Sequence, residues 1–140
     1  MHDLSVEILG LLAASGLGIV HIVLASHAAS LQRGYRWAAG ARDEPLPPLR
    51  GISGRLARAC ANYLETFPFF AALLLAVIAT DAQSAWSTWG VGLYLAGRAA
   101  YLPLYAFGIY LIRSLIWNVA ILGIAFLCVT LVVAPSAAAP

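Results

Sequence analysis

The sequence predicts an all-α integral membrane protein, a bundle of four transmembrane helices, and three observations carry that expectation. Of 140 residues, 62% are hydrophobic and only 10% charged, against roughly 25% charged in ordinary soluble domains. The apolar residues gather in stretches close to the ~20 residues needed to cross a bilayer. A single arginine- and proline-rich segment, residues 31–54, is the only long connection. Residues 1–140 are therefore read as one four-helix domain.

The first helix is expected over residues 5–30, because "ILGLLAASGLGIVHIVLASHAAS" carries no charge and is long enough to span with some tilt. The preceding "MHDLSVE" lacks a basic region and carries Asp3 and Glu7, so a removable signal peptide is not expected. In the loop, "DEPLPP" cannot continue a helix. The second helix is expected over 55–80, stopping at "DAQS". The third, over 85–107, opens with Trp86 and Trp89, aromatic residues suited to headgroup depth. After a tight turn at Gly108 the fourth is expected over 113–134, closed by Pro135 and the tail "SAAAP".

Arginine sets the orientation. All eight basic residues are arginine, and Arg33, Arg36, Arg42, Arg50, Arg55 and Arg58 lie between helices one and two, with Arg113 in the turn between three and four. The opposite loop offers only Asp81. Positive-inside bias then places both termini outside and the 31–54 loop in the cytoplasm. Nothing in the net charge of +2 points to nucleic acid. Cys60 and Cys128 show no paired spacing and read as core residues, and His21 and His27 do not share a helix face as i, i+4 ligands would, so no metal is expected.

Polar residues inside the apolar segments need a reason, since a charge near the bilayer centre costs at least ~2.5 to 3.5 kcal/mol. Arg58, Asn62 and Glu65 follow i, i+4, i+7 on helix two; Arg98, Tyr101 and Tyr105 follow i, i+3, i+7 on helix three. Counted inward from the loop side at ~1.5 Å per residue, Glu65 and Arg98 match in depth, as do Asn62 with Tyr101 and Arg58 with Tyr105. The two antiparallel stripes are expected to face each other as a ladder, with Glu65 and Arg98 as a buried ion pair. With Arg113 and Ser114 at its mouth, the ladder makes a cationic, donor-rich cleft. Pro68 and Pro103 each free a backbone carbonyl beside it.

These residues carry a resemblance. "RACANYLETFP" resembles the second-helix signature of the MAPEG family (membrane-associated proteins in eicosanoid and glutathione metabolism), an arginine followed by N-x-x-E and then proline. "GRAAYLPLYAFGIYLIRSLIW" is similar to the family's third helix and following turn. The resemblance, to a prokaryotic-type member, implies a homotrimer in a bacterial inner membrane, with glutathione as co-substrate bound between subunits near the cytoplasmic face. It implies glutathione contacts from Arg58, Asn62, Glu65, Arg98, Tyr101 and Tyr105, and thiolate stabilisation by Arg113 and Ser114 as the catalytic pair. A lipophilic second substrate would enter from the bilayer. Two departures, Ala61 where some members have a further arginine and Tyr101 where a prostaglandin-forming branch has histidine, argue against prostaglandin synthesis.

The implied function is a glutathione-dependent membrane enzyme that conjugates glutathione to lipophilic electrophiles or reduces lipid hydroperoxides. The alternatives are a non-catalytic MAPEG-like protein that binds a lipid or partner in the same cleft, and a small four-helix exporter. The exporter fits less well, because its intramembrane glutamate would not face an arginine and its loops would be short.

Overall fold

The computed structural model describes residues 4–43 and 45–133. The expected end of the last helix at Ala134, the tail beyond it and Asp3 lie outside them. Among the described residues the chain is all-helical: α1 Val6–Arg33, α2 Tyr35–Ala39, α3 Gly51–Ala79, α4 Ala85–Phe107 and α5 Tyr110–Val133. The expected count of four is exceeded by α2, one helical turn inside the long loop. Three helices, α1, α3 and α5, are long and apolar enough to cross a membrane. At 23 residues α4 has the length, but Trp86, Ser87, Thr88, Trp89 and Arg98 dilute its hydropathy.

Local chemistry accounts for the helix ends. The Ser5 hydroxyl accepts a hydrogen bond from the Ile8 amide at the start of α1. Ser84 and Ser87 cap each other at the start of α4. Gly108, at φ 80°, supplies the left-handed residue that ends α4 and lets α5 begin two residues on. At the loop end, Gln32 Oε1 accepts from the Arg50 amide at 3.2 Å and Ser53 Oγ donates to the Ala28 carbonyl at 2.9 Å. These two bonds close the loop and set the start of α3 beside the end of α1.

The packing is inverted relative to a water-soluble bundle. Large apolar side chains face outward, among them Ile19, 62% exposed, and Leu115, 68% exposed, while hydrogen-bonded polar groups lie within. Ser87 Oγ donates at 2.6 Å to Glu7 Oε1, both buried, joining α4 to α1. The Tyr63 hydroxyl donates to the Ala14 carbonyl, joining α3 to α1. Such bonds suit a lipid environment, where no water satisfies an interior polar group. An apolar core of Ala14, Phe70, Leu74, Val91, Tyr94, Ala120 and Leu127 fills the rest, with the Phe70 and Tyr94 rings stacked at 3.9 Å.

The closest helix pair is α4 with α5, and glycine permits it. A Cβ on Gly123 would lie 2.6 Å from the Tyr94 backbone nitrogen and 2.7 Å from the Gly90 carbonyl oxygen. Small residues at a crossing let backbones approach in a membrane, where dispersion rather than water exclusion holds helices together. That approach brings the start of α5, with Arg113 and Ser114, against the end of α4.

Candidate functional site

The inward stripe of α3 consists of Ala59, Tyr63, Thr66, Phe70, Leu74 and Val77, all buried. Asn62 lies at the edge of that stripe and Glu65 is exposed. Adjacent helix positions differ by about 100°, so the polar stripe Arg58, Asn62, Glu65 is rotated one residue away from the true interior face.

Arg98 is fully buried. Its Nη1 donates to Asn62 Oδ1 at 2.8 Å and its Nη2 to Thr66 Oγ1. The rings of Tyr101, Tyr94 and Tyr63 surround the guanidinium, with centroids 5.5, 5.7 and 5.9 Å from Cζ. The buried ion pair expected between Glu65 and Arg98 is therefore not made. Hydroxyl, amide and aromatic faces hold the cation instead, because helix rotation points Thr66 inward and Glu65 outward. The two hydrogen bonds and the negative faces of three rings offset part of the cost of burying that charge.

The remaining expected residues converge toward the loop end. Arg113 Cζ lies 4.3 Å from the Tyr105 ring centroid and Arg58 Cζ lies 6.0 Å from the same centroid, so one ring gathers cations from α3 and α5. Tyr101 and Tyr105 meet edge to face at 5.3 Å. Asn62, Tyr101, Arg113 and Ser114 line a cleft of about 240 Å³ that is also walled by Trp117 and Asn118. Arg55 Nε donates to the Ala106 carbonyl at 2.7 Å, fixing the start of α3 to the end of α4 at its rim.

The structure thus links Arg58, Asn62, Arg98, Tyr101, Tyr105, Arg113 and Ser114 and sets Glu65 apart. Glu65 lies with Thr66, Phe69, Leu73, Ile124 and Cys128 in a separate, almost wholly apolar groove between α3 and α5. Cys128, read from sequence as a core residue, is exposed there, because α3 and α5 leave the groove between them open in the single chain. The Ser114 hydroxyl donates to the Tyr110 carbonyl at 3.2 Å, so it must rotate before it can donate to a ligand.

Three participants escaped the sequence reading. Thr66 directly follows Glu65 and, as an uncharged residue in an apolar run, carries no signal of its own. Trp117 and Asn118 stand three and four residues beyond Ser114, the spacing that puts side chains on one helix face, and that spacing was the available signal. Trp117 Nε1 is buried without a partner among the described residues. His21 is also buried, stacked at 4.4 Å on Tyr63 behind the arginine.

In chemical terms the cleft offers the Arg113 guanidinium, the Tyr101 phenol, the Ser114 hydroxyl and the amides of Asn62 and Asn118, with Arg58 nearby across the Tyr105 ring and no carboxylate in its lining, which suits an anionic ligand. In comparisons with known proteins, the model of the MAPEG family matches residues 10–133. No curated protein and no solved structure matches the chain.

Proposed function

The chain belongs to the MAPEG family, and from that premise we propose that it is a glutathione-dependent membrane enzyme that conjugates glutathione to lipophilic electrophiles or reduces lipid hydroperoxides. The family includes glutathione transferases and peroxidases as well as non-catalytic members, so the site must carry the finer reading. One observation carries it: the convergence of Arg58 and Arg113 on Tyr105, beside a cleft lined by Asn62, Tyr101, Arg113 and Ser114. Glutathione brings two carboxylates, an ammonium and a thiol. The cleft's donors fit the anionic parts, guanidinium to carboxylate above all.

The thiol needs activation, because at a pKa of about 8.5 it is mostly protonated at neutral pH and only the thiolate is a good nucleophile. Arg113 stabilises charge on the sulfur, and Ser114 adds a hydrogen bond once its hydroxyl turns from Tyr110. In conjugation the thiolate forms a carbon–sulfur bond as the electrophile's leaving group departs or its acceptor carbon takes up a proton. In peroxide reduction two thiols become one disulfide while the hydroperoxide becomes an alcohol and water. Arg98 does not need to touch the ligand for this. It holds Asn62 and stacks under Tyr101, and so positions two walls of the cleft.

Glu65 remains the proposed partner of the glutathione ammonium, now from outside the cleft of its own chain. An exposed carboxylate on a membrane-embedded helix is costly, which supports a second copy of the chain covering that face, as in the homotrimer. The loop-bearing side would be cytoplasmic and the lipophilic substrate would arrive through the bilayer.

The test is a glutathione titration of the purified protein in detergent, followed by ultraviolet thiolate absorbance across pH. Binding with a thiol pKa well below about 8.5 is expected. No binding at millimolar glutathione would overturn the reading in favour of a non-catalytic lipid- or partner-binding member.

A further inference from the structure

Asn118 stands on α5, a membrane span, exposed and lining the cleft beside Ser114 and Trp117. Its Nδ2 donates to the Ser114 carbonyl at 2.8 Å. A carbonyl can only accept, so that bond fixes which end of the amide is which: Nδ2 turns back to the helix and Oδ1 is left for a partner. The other amide oxygen of the lining, Asn62 Oδ1, already accepts from Arg98 Nη1 at 2.8 Å. Asn118 Oδ1 is therefore the amide oxygen that the cleft presents, in a lining that is otherwise rich in donors.

Depth assigns this oxygen to the second substrate rather than to glutathione. α5 begins at Tyr110, at the loop end, and at ~1.5 Å per residue Arg113 lies about 5 Å and Asn118 about 12 Å along it. The guanidinium at the mouth suits the carboxylates of the tripeptide. Beyond Asn118, α5 carries no amide, hydroxyl or charged side chain before Thr130. Asn118 thus marks the point where the polar cleft gives way to apolar helix, which is where the reacting head of a lipophilic molecule sits while its tail stays in lipid.

Only one of the two reactions brings a hydrogen to that oxygen. An organic halide or an enone presents no donor at its reacting end, whereas a hydroperoxide carries an O–H. We propose that Asn118 is a specificity-determining residue for lipid hydroperoxides, its Oδ1 accepting from the terminal O–H and holding the terminal oxygen toward the sulfur beside Arg113 and Ser114. The inference rests on the glutathione reading and selects peroxide reduction within it. The thiolate attacks the terminal oxygen and the O–O bond breaks, giving glutathione sulfenic acid and a lipid alkoxide, which takes up the proton that the thiol released. A second glutathione thiol then displaces water from the sulfenic acid to form the disulfide.

Steady-state kinetics of the full chain in detergent at saturating glutathione test this, with linoleic acid hydroperoxide and chlorodinitrobenzene as the two substrates. Asn118→Leu, similar in size but apolar, should lower kcat/KM for the hydroperoxide about tenfold relative to that for chlorodinitrobenzene, the loss expected for one hydrogen bond. Asn118→Gln, which keeps the amide on a longer arm, should recover part of it. In the unmodified protein a long-chain alcohol should inhibit about tenfold more strongly than its methyl ether, which lacks the O–H, and Asn118→Leu should abolish that preference. An unchanged substrate ratio, or equal inhibition by alcohol and ether, would overturn the proposal. A change confined to glutathione KM would overturn it by giving Oδ1 to the tripeptide. Conjugation without any hydroperoxide reduction would overturn it and leave the glutathione reading standing; no glutathione binding would overturn both.

Discussion

At the scale of single residues, the interior of this protein is organised around one arginine. Among the described residues Arg98 has two hydrogen-bond partners, Asn62 and Thr66, and a buried Nε without one. Thr66→Val removes a partner while nearly keeping shape, and leaves part of a buried cation unsatisfied. We expect it to destabilise the fold by about 1–3 kcal/mol, measured by thermal unfolding in detergent; an unchanged midpoint would mean that water reaches the guanidinium. Under the proposed reaction Arg113 belongs to a different category, since its contact would strengthen only as charge gathers on the sulfur. Arg113→Ala is expected to lower kcat on the order of 10²-fold with a smaller change in glutathione KM. Equal losses in both would make Arg113 a binding residue only. Residue identities along the polar stripes were legible, because charges and amides stand out against an apolar background. Their facing was not: the difference between Glu65 and Thr66 is one residue, and only the buried series Ala59, Tyr63, Thr66, Phe70 resolves it.

Among the helices, the all-α class and the membrane character could be read from the apolar runs, whereas α2 could not. "YRWAA" is barely more than one turn, too short for any periodicity to show, and it buries no residue that a hydrophobic pattern could have marked. Nor could the sequence place α4 against α5, since Gly90, Gly97 and Gly123 look like generic membrane glycines until the backbones are seen to touch there. Their role is testable. Gly123→Ala would drive a methyl against the Tyr94 nitrogen and the Gly90 carbonyl, and backbone atoms cannot turn aside as a side chain can. A loss of about 1–3 kcal/mol is expected from such overpacking, with a matching fall in activity because Arg113 and Ser114 ride on α5. Gly92→Ala, whose added methyl meets nothing, should leave the melting temperature unchanged; equal effects of the two substitutions would remove close approach as the explanation.

For the whole molecule, the question is what covers the groove between α3 and α5. A single chain leaves Glu65 and Phe69 exposed there, the latter by 65%, over a volume of about 560 Å³. Lipid tails would suit Phe69, Leu73 and Ile124 but not a carboxylate, and among the described residues Glu65 finds no counter-charge, Arg98 being already occupied by Asn62 and Thr66. A second copy resolves both needs at once, which is why the proposed homotrimer is expected to close over this face. Cys128 lies in the same groove and is exposed, while Cys60 is buried within the chain. In a Cys60→Ser background, a membrane-permeable maleimide should therefore modify Cys128 slowly in the intact assembly and quickly after dissociation to monomers in harsh detergent. Glu65→Gln should shift that balance toward fast labelling without lowering the stability of the isolated chain, because the carboxylate holds nothing within it. Fast labelling of the native assembly would instead leave the groove open to lipid, and Glu65 would then have to meet its partner from the bilayer side.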